Sequence, residues 1–161
     1  MAANYFLKIT PEVKGDSKQK GYEGQIEILS FSWGVSQAGG YSYGSGGTAA
    51  KANLQDVSLS FRQCSASPLL MQACAGGKHY DSVMLTCLKS TGTGQDKYLE
   101  IELTDVVVSS YQTGGSGDDM PIETVSLNFA KVVENFYVQD DKGITTLAQT
   151  GTWNQQTATA S

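Results

Sequence analysis

The sequence predicts a mainly β protein, a barrel or sandwich of two antiparallel sheets with one short flanking helix and one long extended loop. Three observations lead to this fold class. Several segments alternate apolar and polar residues with period two, a single segment has the start and stop signals of a helix, and long Gly-rich runs separate strand-like segments. With 161 residues we expect one domain over residues 1–161, in which the tail after about Lys142 has no assigned element.

The alternating segments predict strands with one buried and one solvated face. From Leu29 to Val35 every second residue is apolar, and Ile26 and Ile28 have the opposite phase, which predicts a bend near Ile28. The same alternation predicts strands in five other places: Tyr5 to Ile9; Val57, Leu59 and Phe61; Val83 to Leu88; Leu99, Ile101 and Leu103; and Val125, Leu127, Phe129, Lys131, Val133 and Tyr137, all in one phase.

The helix is predicted from Ser67 to Gly77. Ser67 is a suitable capping residue, Pro68 suits the first turn, and Gly76 or Gly77 can end the helix in a left-handed conformation. Leu70 and Cys74 share one face, so we expect this helix to lie against a sheet.

Composition and charge exclude several classes of partner. Charged residues make up 17% of the chain and the net charge is -5, whereas duplex nucleic acid and anionic membranes select clustered Lys and Arg. No apolar run approaches the roughly 20 residues of a membrane-spanning helix. The first residues lack the features of a signal peptide, so we expect the chain to be cytoplasmic, with its cysteines reduced.

Metal and catalytic sites are weakly supported. Cys64, Cys74, His79 and Cys87 could supply four zinc ligands, but no two of the cysteines have the close spacing that usually nucleates a structural zinc site. His79 is the one histidine of the chain, so a Ser–His or Cys–His nucleophile would have to use it. A lone histidine beside a helix end is more often a structural hydrogen-bonding group.

Three further patterns are also incomplete. Asp118, Asp119 and Glu123 could bind calcium, but they lack the spacing of an EF-hand loop. The sequence from Gly77 to His79 departs from a phosphate-binding loop, and the glycines from Gly44 to Ala49 precede a strand instead of the helix that a dinucleotide needs. We therefore expect no catalytic residue, no cofactor and no metal.

Two loops are too long to be simple turns. The segment from Gln37 to Lys51 is rich in Gly but carries Tyr41 and Tyr43, and it is either a flexible excursion or an arm that orders against a partner. The second is the Gly- and Ser-rich interruption between Val108 and Pro121.

Most of the chain, in order, resembles the Hcp (haemolysin-coregulated protein) family, the tube protein of bacterial type VI secretion systems. The resemblance rests on the opening strand with its Gly-Asp-Ser turn, a second-strand signature, a Gly-Lys-His-Tyr motif, the Gly-rich interruption with the strand after it, and a Gly-Thr-Trp near the end. These are Tyr5 to Ile9, Val13 to Ser17, Ile28 to Gln37, Gly77 to Tyr80, Val108 to Gly117, Pro121, Glu123, Ser126 to Lys131 and Gly151 to Trp153.

The resemblance implies a structural subunit and not an enzyme. Family members form homohexameric rings that stack into a hollow tube, carry effectors in the lumen, work with the sheath and spike proteins of the secretion system, and are themselves secreted without a signal peptide. Cytoplasmic assembly followed by export is the expected localisation. Open filaments of this kind need a second, heterologous contact between rings.

The resemblance also assigns roles to the unexplained segments. The loop that contacts the neighbouring ring is expected to include Gly39, Gly40, Tyr41, Tyr43, Gly46, Gly47 and Lys51. Ser32 and Ser116, small and uncharged, are expected to face the lumen. The alternatives are a phage or contractile-particle tail-tube protein, a β-sandwich lectin or adhesin module, and an enzyme that uses His79 with a cysteine.

Overall fold

The computed structural model describes residues 4–37, 52–91 and 94–161. These residues form ten strands and one helix, in chain order β1 Asn4–Thr10, β2 Ile26–Ile28, β3 Ser30–Ser32, β4 Val35–Ser36, β5 Asn53–Leu54, β6 Val57–Arg62, α1 Ser67–Gly76, β7 His79–Thr91, β8 Gly94–Gly114, β9 Ile122–Gln139 and β10 Thr145–Asn154. The predicted mainly β, antiparallel architecture with one short helix is confirmed. In the described part of the chain no helix has the length and apolar content needed to cross a membrane.

Eight strands form one antiparallel sheet in the order β2-β1-β7-β8-β9-β6-β3, with β10 paired to β9. The first and last strands of this path are separated in sequence by Leu29 alone, so the sheet curls until its two ends meet there. The backbone N–H of Leu29 donates to the carbonyl of Ser60 at 2.7 Å. The predicted bend near Ile28 is therefore present, at the closure of the curled sheet.

The bend also corrects one prediction. The alternation predicts Leu29 and Val35 on the buried face of a continuous strand, but Leu29 is 44% exposed and Val35 is 60% exposed. The chain turns a corner at Leu29 and the alternation restarts, so Leu29 points outward between two short strands. Val35 lies in a separate two-stranded ribbon with β5.

The three longest strands change phase at the same place in the sheet. Strict alternation separates the buried residues of a strand by an even number of positions. In each of these strands, two buried residues are instead three positions apart. The neighbouring buried pairs are Tyr80 and Val83 on β7, Leu103 and Val106 on β8, and Phe129 and Val132 on β9. The register places these positions side by side.

This shared change of phase bends the sheet into two halves that enclose one core, and it accounts for the two sheets expected from the sequence. Asp105, at the bend on β8, has φ 55°, a left-handed conformation that is unusual for a residue with a side chain. The expectation that Lys131, Val133 and Tyr137 continue the phase of Phe129 is wrong, because Val132 is the next buried residue.

The core is apolar and draws on both halves. It confirms the predicted buried positions of β6, and it includes, from β1 to β9, Leu7, Ile9, Ile26, Ile28, Val57, Leu59, Phe61, Val83, Leu85, Ile101, Leu103, Val106, Val125, Leu127, Phe129 and Val132. Helix α1 closes one side of this core through Leu70 and Ala73.

The helix ends as predicted and begins slightly differently. Pro68 lies in its first turn, and Gly77 terminates it with φ 66° and ψ 33°. The N-cap position is occupied by Ala66, which offers no side-chain cap. The Ser67 hydroxyl instead accepts a hydrogen bond from the backbone N–H of Cys64 at 3.0 Å, so the prediction that Ser67 caps the helix is wrong.

The strands extend further than the sequence indicated. β8 continues to Gly114 and β9 begins at Ile122, so the loop between them is residues 115–121 and not the whole interruption from Val108 to Pro121. Backbone pairing needs no apolar side chain, and the ladder continues through Ser110, Gln112 and Gly114. The tail after Lys142, unassigned from sequence, forms β10 on the side of β9.

Candidate functional site

A hydroxyl-bearing surface covers the outer side of four adjacent strands, β3, β6, β9 and β8. The register aligns two rows of small polar residues across them, Ser32–Ser58–Ser126–Ser110 and Ser30–Ser60–Thr124–Gln112. We call these two rows the hydroxyl face.

Alternation fixes the direction of these side chains. The residues between them on β6 and β9, Leu59 and Val125, are each 1% exposed and belong to the core. Neighbouring positions on a strand point to opposite sides of the sheet. The serines of the hydroxyl face therefore point away from the core, and the surface that they form contains no ionisable side chain.

Four of the seven hydroxyl groups in these rows contact one another, those of Ser110, Ser126, Ser60 and Thr124. Ser110 and Ser126 lie 2.5 Å apart, and Ser126 is also 2.7 Å from Ser109, beside the row. Ser60 and Thr124 are 3.5 Å apart. Hydroxyls paired in this way need few external partners, so the surface is wettable without strongly selecting one ligand.

Charged residues stand at both ends of the hydroxyl face. At one end the Asp56 carboxylate accepts hydrogen bonds from the Ser109 hydroxyl at 2.6 Å and from the Asn128 amide at 2.9 Å. At the other end Arg62 is exposed on the last position of β6. The neutral rows are thus bordered by one charge of each sign.

The structure places the two predicted lumen residues differently. Ser32 belongs to the hydroxyl face, where it pairs with Ser58. Ser116 is exposed in the loop of residues 115–121, beyond the end of the paired strands. The two residues are therefore not brought into one row.

The predicted inter-ring residues, Gly39, Gly40, Tyr41, Tyr43, Gly46, Gly47 and Lys51, lie outside the described residues. The dinucleotide-like glycines from Gly44 to Ala49 lie outside them too.

Sequence reasoning did not identify most of the hydroxyl face. The alternation of Ser58 and Ser60 with Val57, Leu59 and Phe61 predicts only a solvated strand face. The signal that groups the serines is the register between strands that are distant in sequence. That register becomes available only when the strands are paired.

No catalytic centre is assembled from the candidate residues. His79 is exposed and lines an open groove of about 490 Å³ with Asp105, Asn128, Gln155 and Gln156, none of which is a Cys or Ser nucleophile. Among the described residues no group of three or more His, Cys, Asp or Glu side chains is close enough to hold a metal ion. The residues considered as zinc or calcium ligands are all among the described residues.

The other residues considered for catalysis or metal binding, Glu123, Asp119 and Cys87, have contacts or burial typical of structural residues. Glu123 is 0% exposed and its carboxylate accepts a hydrogen bond from the Tyr111 hydroxyl. Asp119 accepts from the backbone N–H of Met120 at 2.7 Å. Burial raises the pKa of the Cys87 thiol to about 12, so this thiol remains protonated at neutral pH and is a poor nucleophile.

Comparison with known proteins identifies relatives along most of the chain. The model of the family described as "Type VI secretion system effector, Hcp" matches residues 6–136. The protein hcp1 of Pseudomonas aeruginosa is 45% identical over 144 residues, covering 89% of this chain and 88% of that protein.

Solved structures agree with the observed fold. A structure described as a type six secretion system protein has a TM-score of 0.90 at 25% identity, covering 98% of this chain and 99% of that one. Hcp1 from Salmonella typhimurium has a TM-score of 0.79 at 29% identity, with 98% of each chain covered. Both likenesses extend to the tail that includes β10.

Proposed function

Because the chain belongs to the Hcp family of type VI secretion proteins, we propose that it is the structural subunit of a secretion tube. Its copies form hexameric rings, the rings stack into a hollow tube, and the tube carries effectors. The observation that carries this proposal is the family match over residues 6–136 together with 45% identity to hcp1 of Pseudomonas aeruginosa.

The hydroxyl face is the surface that we assign to the lumen. A channel that passes different proteins needs a wall that is hydrated, has no large protruding side chains and binds no particular protein strongly. Rows of small Ser and Thr hydroxyls, some of which bond one another, meet this need, since they offer no apolar patch for adhesion and no ionisable group within the rows. Ser32 is the predicted lumen residue that lies on this face.

The other partners and the cellular route are part of the same proposal. The tube is assembled in the cytoplasm against sheath and spike proteins and is then exported without a signal peptide. Membership of a family of type VI secreted proteins supports export. A structural role, as opposed to a catalytic one, is proposed for the chain.

The first experiment measures the native mass of the purified protein and images it by negative-stain electron microscopy. We expect a hexamer with ring-shaped particles that have an open centre. A compact monomer that persists at high protein concentration would contradict the tube-subunit proposal.

The lumen assignment has its own test. Ser32→Trp should preserve the rings while reducing the effector proteins that co-purify with them, because the ring's symmetry repeats the bulky side chain around one channel. Ser116→Trp tests the second predicted lumen residue in the same way, and Lys89→Trp, on an exposed position of β7 away from the hydroxyl face, is the control. Unchanged co-purification with Ser32→Trp would remove the hydroxyl face from the lumen.

A further inference from the structure

Strand β10, Thr145–Asn154, is an unprotected edge strand. It pairs with β9 on one side, and between Thr146 and Thr152 no backbone hydrogen bond from another described residue reaches its other side. Its sequence, TTLAQTGTWN, has no Asp, Glu, Lys, Arg or Pro. Natural edge strands usually carry such residues, which prevent pairing with other chains.

Apolar side chains surround this edge. Phe136 and Val138 on β9 are 47% and 43% exposed, and Ile144 and Leu147 are 55% and 54% exposed. None of the four belongs to the core or packs against it. Phe136 and Val138 share one face of the hairpin, whereas Leu147 pairs with Tyr137 and points to the other face. Exposed apolar side chains that share a face beside an open strand edge are typical of a protein–protein contact.

The position of the hairpin explains why the fold leaves these residues uncovered. β6 pairs with β9 only as far as Leu127, while β10 takes over the same side of β9 from Lys131 onward. The hairpin of β9 and β10 therefore continues past the part of the sheet that closes around the core. Its apolar residues have no covering layer within the described part of the chain.

We propose that the outer edge of β10, together with the face of the hairpin that carries Phe136 and Val138, is a contact surface for a second copy of this chain. We call it the β10 surface. The inference rests on the proposed tube function and names the surface through which one subunit meets another.

A second copy fits this surface better than a chain of another kind for two reasons. First, an edge without protecting charges remains soluble only if it is covered permanently, and a copy of the same chain is always present in matching amount. Second, copies with a net charge of -5 repel one another, so they approach with least repulsion where the strand has no ionisable side chain.

Two lysine substitutions test the β10 surface. Val138→Lys places a charge on its apolar part, and Gly151→Lys places one on the edge strand. A Cβ at Gly151 meets no atom within 4 Å, and Glu134 lies directly across on β9, so the new lysine has a carboxylate partner in the isolated subunit. Met71→Lys is the matched control, because Met71 is 50% exposed on α1, away from the hairpin.

The measurement is sedimentation velocity over a range of protein concentrations, with circular dichroism to verify folding. Each hairpin variant should raise the concentration needed for assembly by about tenfold or more, since the contact would have to accommodate a long side chain and remove water from its ammonium group. Met71→Lys should assemble as the unmodified protein does. Rings that form normally in both hairpin variants would overturn this inference alone, and an unmodified protein that is monomeric would overturn the ring proposal as well.

A second measurement applies if a variant does not fold. Hydrogen exchange on the unmodified protein compares the amides from Thr146 to Thr152 in concentrated and dilute solution. Slower exchange in the assembled state is expected, because pairing protects edge amides. Equal exchange in the two states would overturn the inference.

Discussion

At the scale of single residues, the most unusual side chain is Glu123. Its carboxylate is fully buried, one oxygen accepts a hydrogen bond from Tyr111, and the other, Oε1, has no hydrogen-bond partner among the described residues. Burial, followed by the hydrogen bond to Glu123, raises the pKa of Tyr111 to about 12. The Tyr111 hydroxyl therefore remains a donor over the whole physiological range.

Tyr111→Phe should lower the free energy of unfolding by about 1–3 kcal/mol, because it removes the donor and leaves a buried carboxyl without a partner. Urea unfolding measures the loss. Tyr137→Phe is the matched control, since Tyr137 donates to Glu100 in the same way but Glu100 keeps Lys97 at 3.4 Å. Equal losses in the two variants would contradict this account of Glu123.

The hydrogen bonds of the Asp16 carboxylate predict that the stability of the folded protein decreases at acidic pH. Its carboxylate accepts hydrogen bonds from the Ser65 hydroxyl at 2.5 Å and from the Ser65 backbone N–H at 2.9 Å, and these bonds lower its pKa from the ordinary value of an aspartate. A carboxyl with a lowered folded-state pKa stabilises the protein above its unfolded pKa, and this stabilisation is lost as the pH falls through the folded value.

The melting temperature of the unmodified protein should therefore fall as the pH decreases below about 5, and that of Asp16→Asn should fall less. Thermal unfolding followed at several pH values measures both. Asp118→Asn, in the exposed loop of residues 115–121, controls for the removal of one negative charge. Identical pH profiles for the unmodified protein and Asp16→Asn would exclude the contribution of Asp16.

At the scale of elements, the shared change of phase in β7, β8 and β9 gives the protein its shape. Asp105 adopts φ 55° at the bend of β8, and opposite it on β7 lies Asp81, between the paired positions Tyr80 and Ser82. A left-handed conformation is unfavourable for a residue with a Cβ and is tolerated by glycine. The bend is therefore maintained by packing on both sides, at some local cost.

Asp105→Gly should raise the free energy of unfolding by up to about 1 kcal/mol, because glycine adopts this φ without steric strain. Asp81→Gly is the control, since Asp81 lies in the neighbouring strand without a positive φ, and glycine within an ordinary strand is destabilising. Chemical denaturation compares the two. A loss of stability with Asp105→Gly similar to that with Asp81→Gly would show that the Asp105 side chain matters more than its conformation.

At the scale of the whole molecule, the proposed tube function requires surfaces that face other copies. The hydroxyl face and the β10 surface lie on different parts of the fold, the first on β3, β6, β9 and β8 and the second on the hairpin of β9 and β10. A ring subunit needs both kinds of surface, one toward the channel and one toward a neighbour. Stacking needs a third, which the resemblance assigns to the segment from Gln37 to Lys51.

Deletion of Gly40 to Gly47 should leave hexamers intact and abolish the stacking of rings into tubes, because it shortens the segment assigned to the contact between rings. Light scattering and electron microscopy distinguish single rings from tubes. The double variant Tyr41→Ser and Tyr43→Ser, at full length, asks whether the aromatic side chains or the length of the segment matter. Normal tubes from the deletion would remove this segment from the stacking contact.

The sequence by itself determined the class of the fold, the helix with its terminating Gly77, the buried positions of β6 and the resemblance to a family. These depend on local rules: alternation along a strand, and the tolerance of glycine for a left-handed conformation. They are set by residues that are close together in the chain.

The tertiary structure decided what the local rules could not. Strand pairing is made by backbone groups, which are nearly the same at every residue, so the sequence does not state which strands become neighbours or where several of them bend together. For that reason the phase change beside Asp105, the buried position of Glu123, and the alignment of Ser32, Ser58, Ser126 and Ser110 into one row became visible only in the folded sheet.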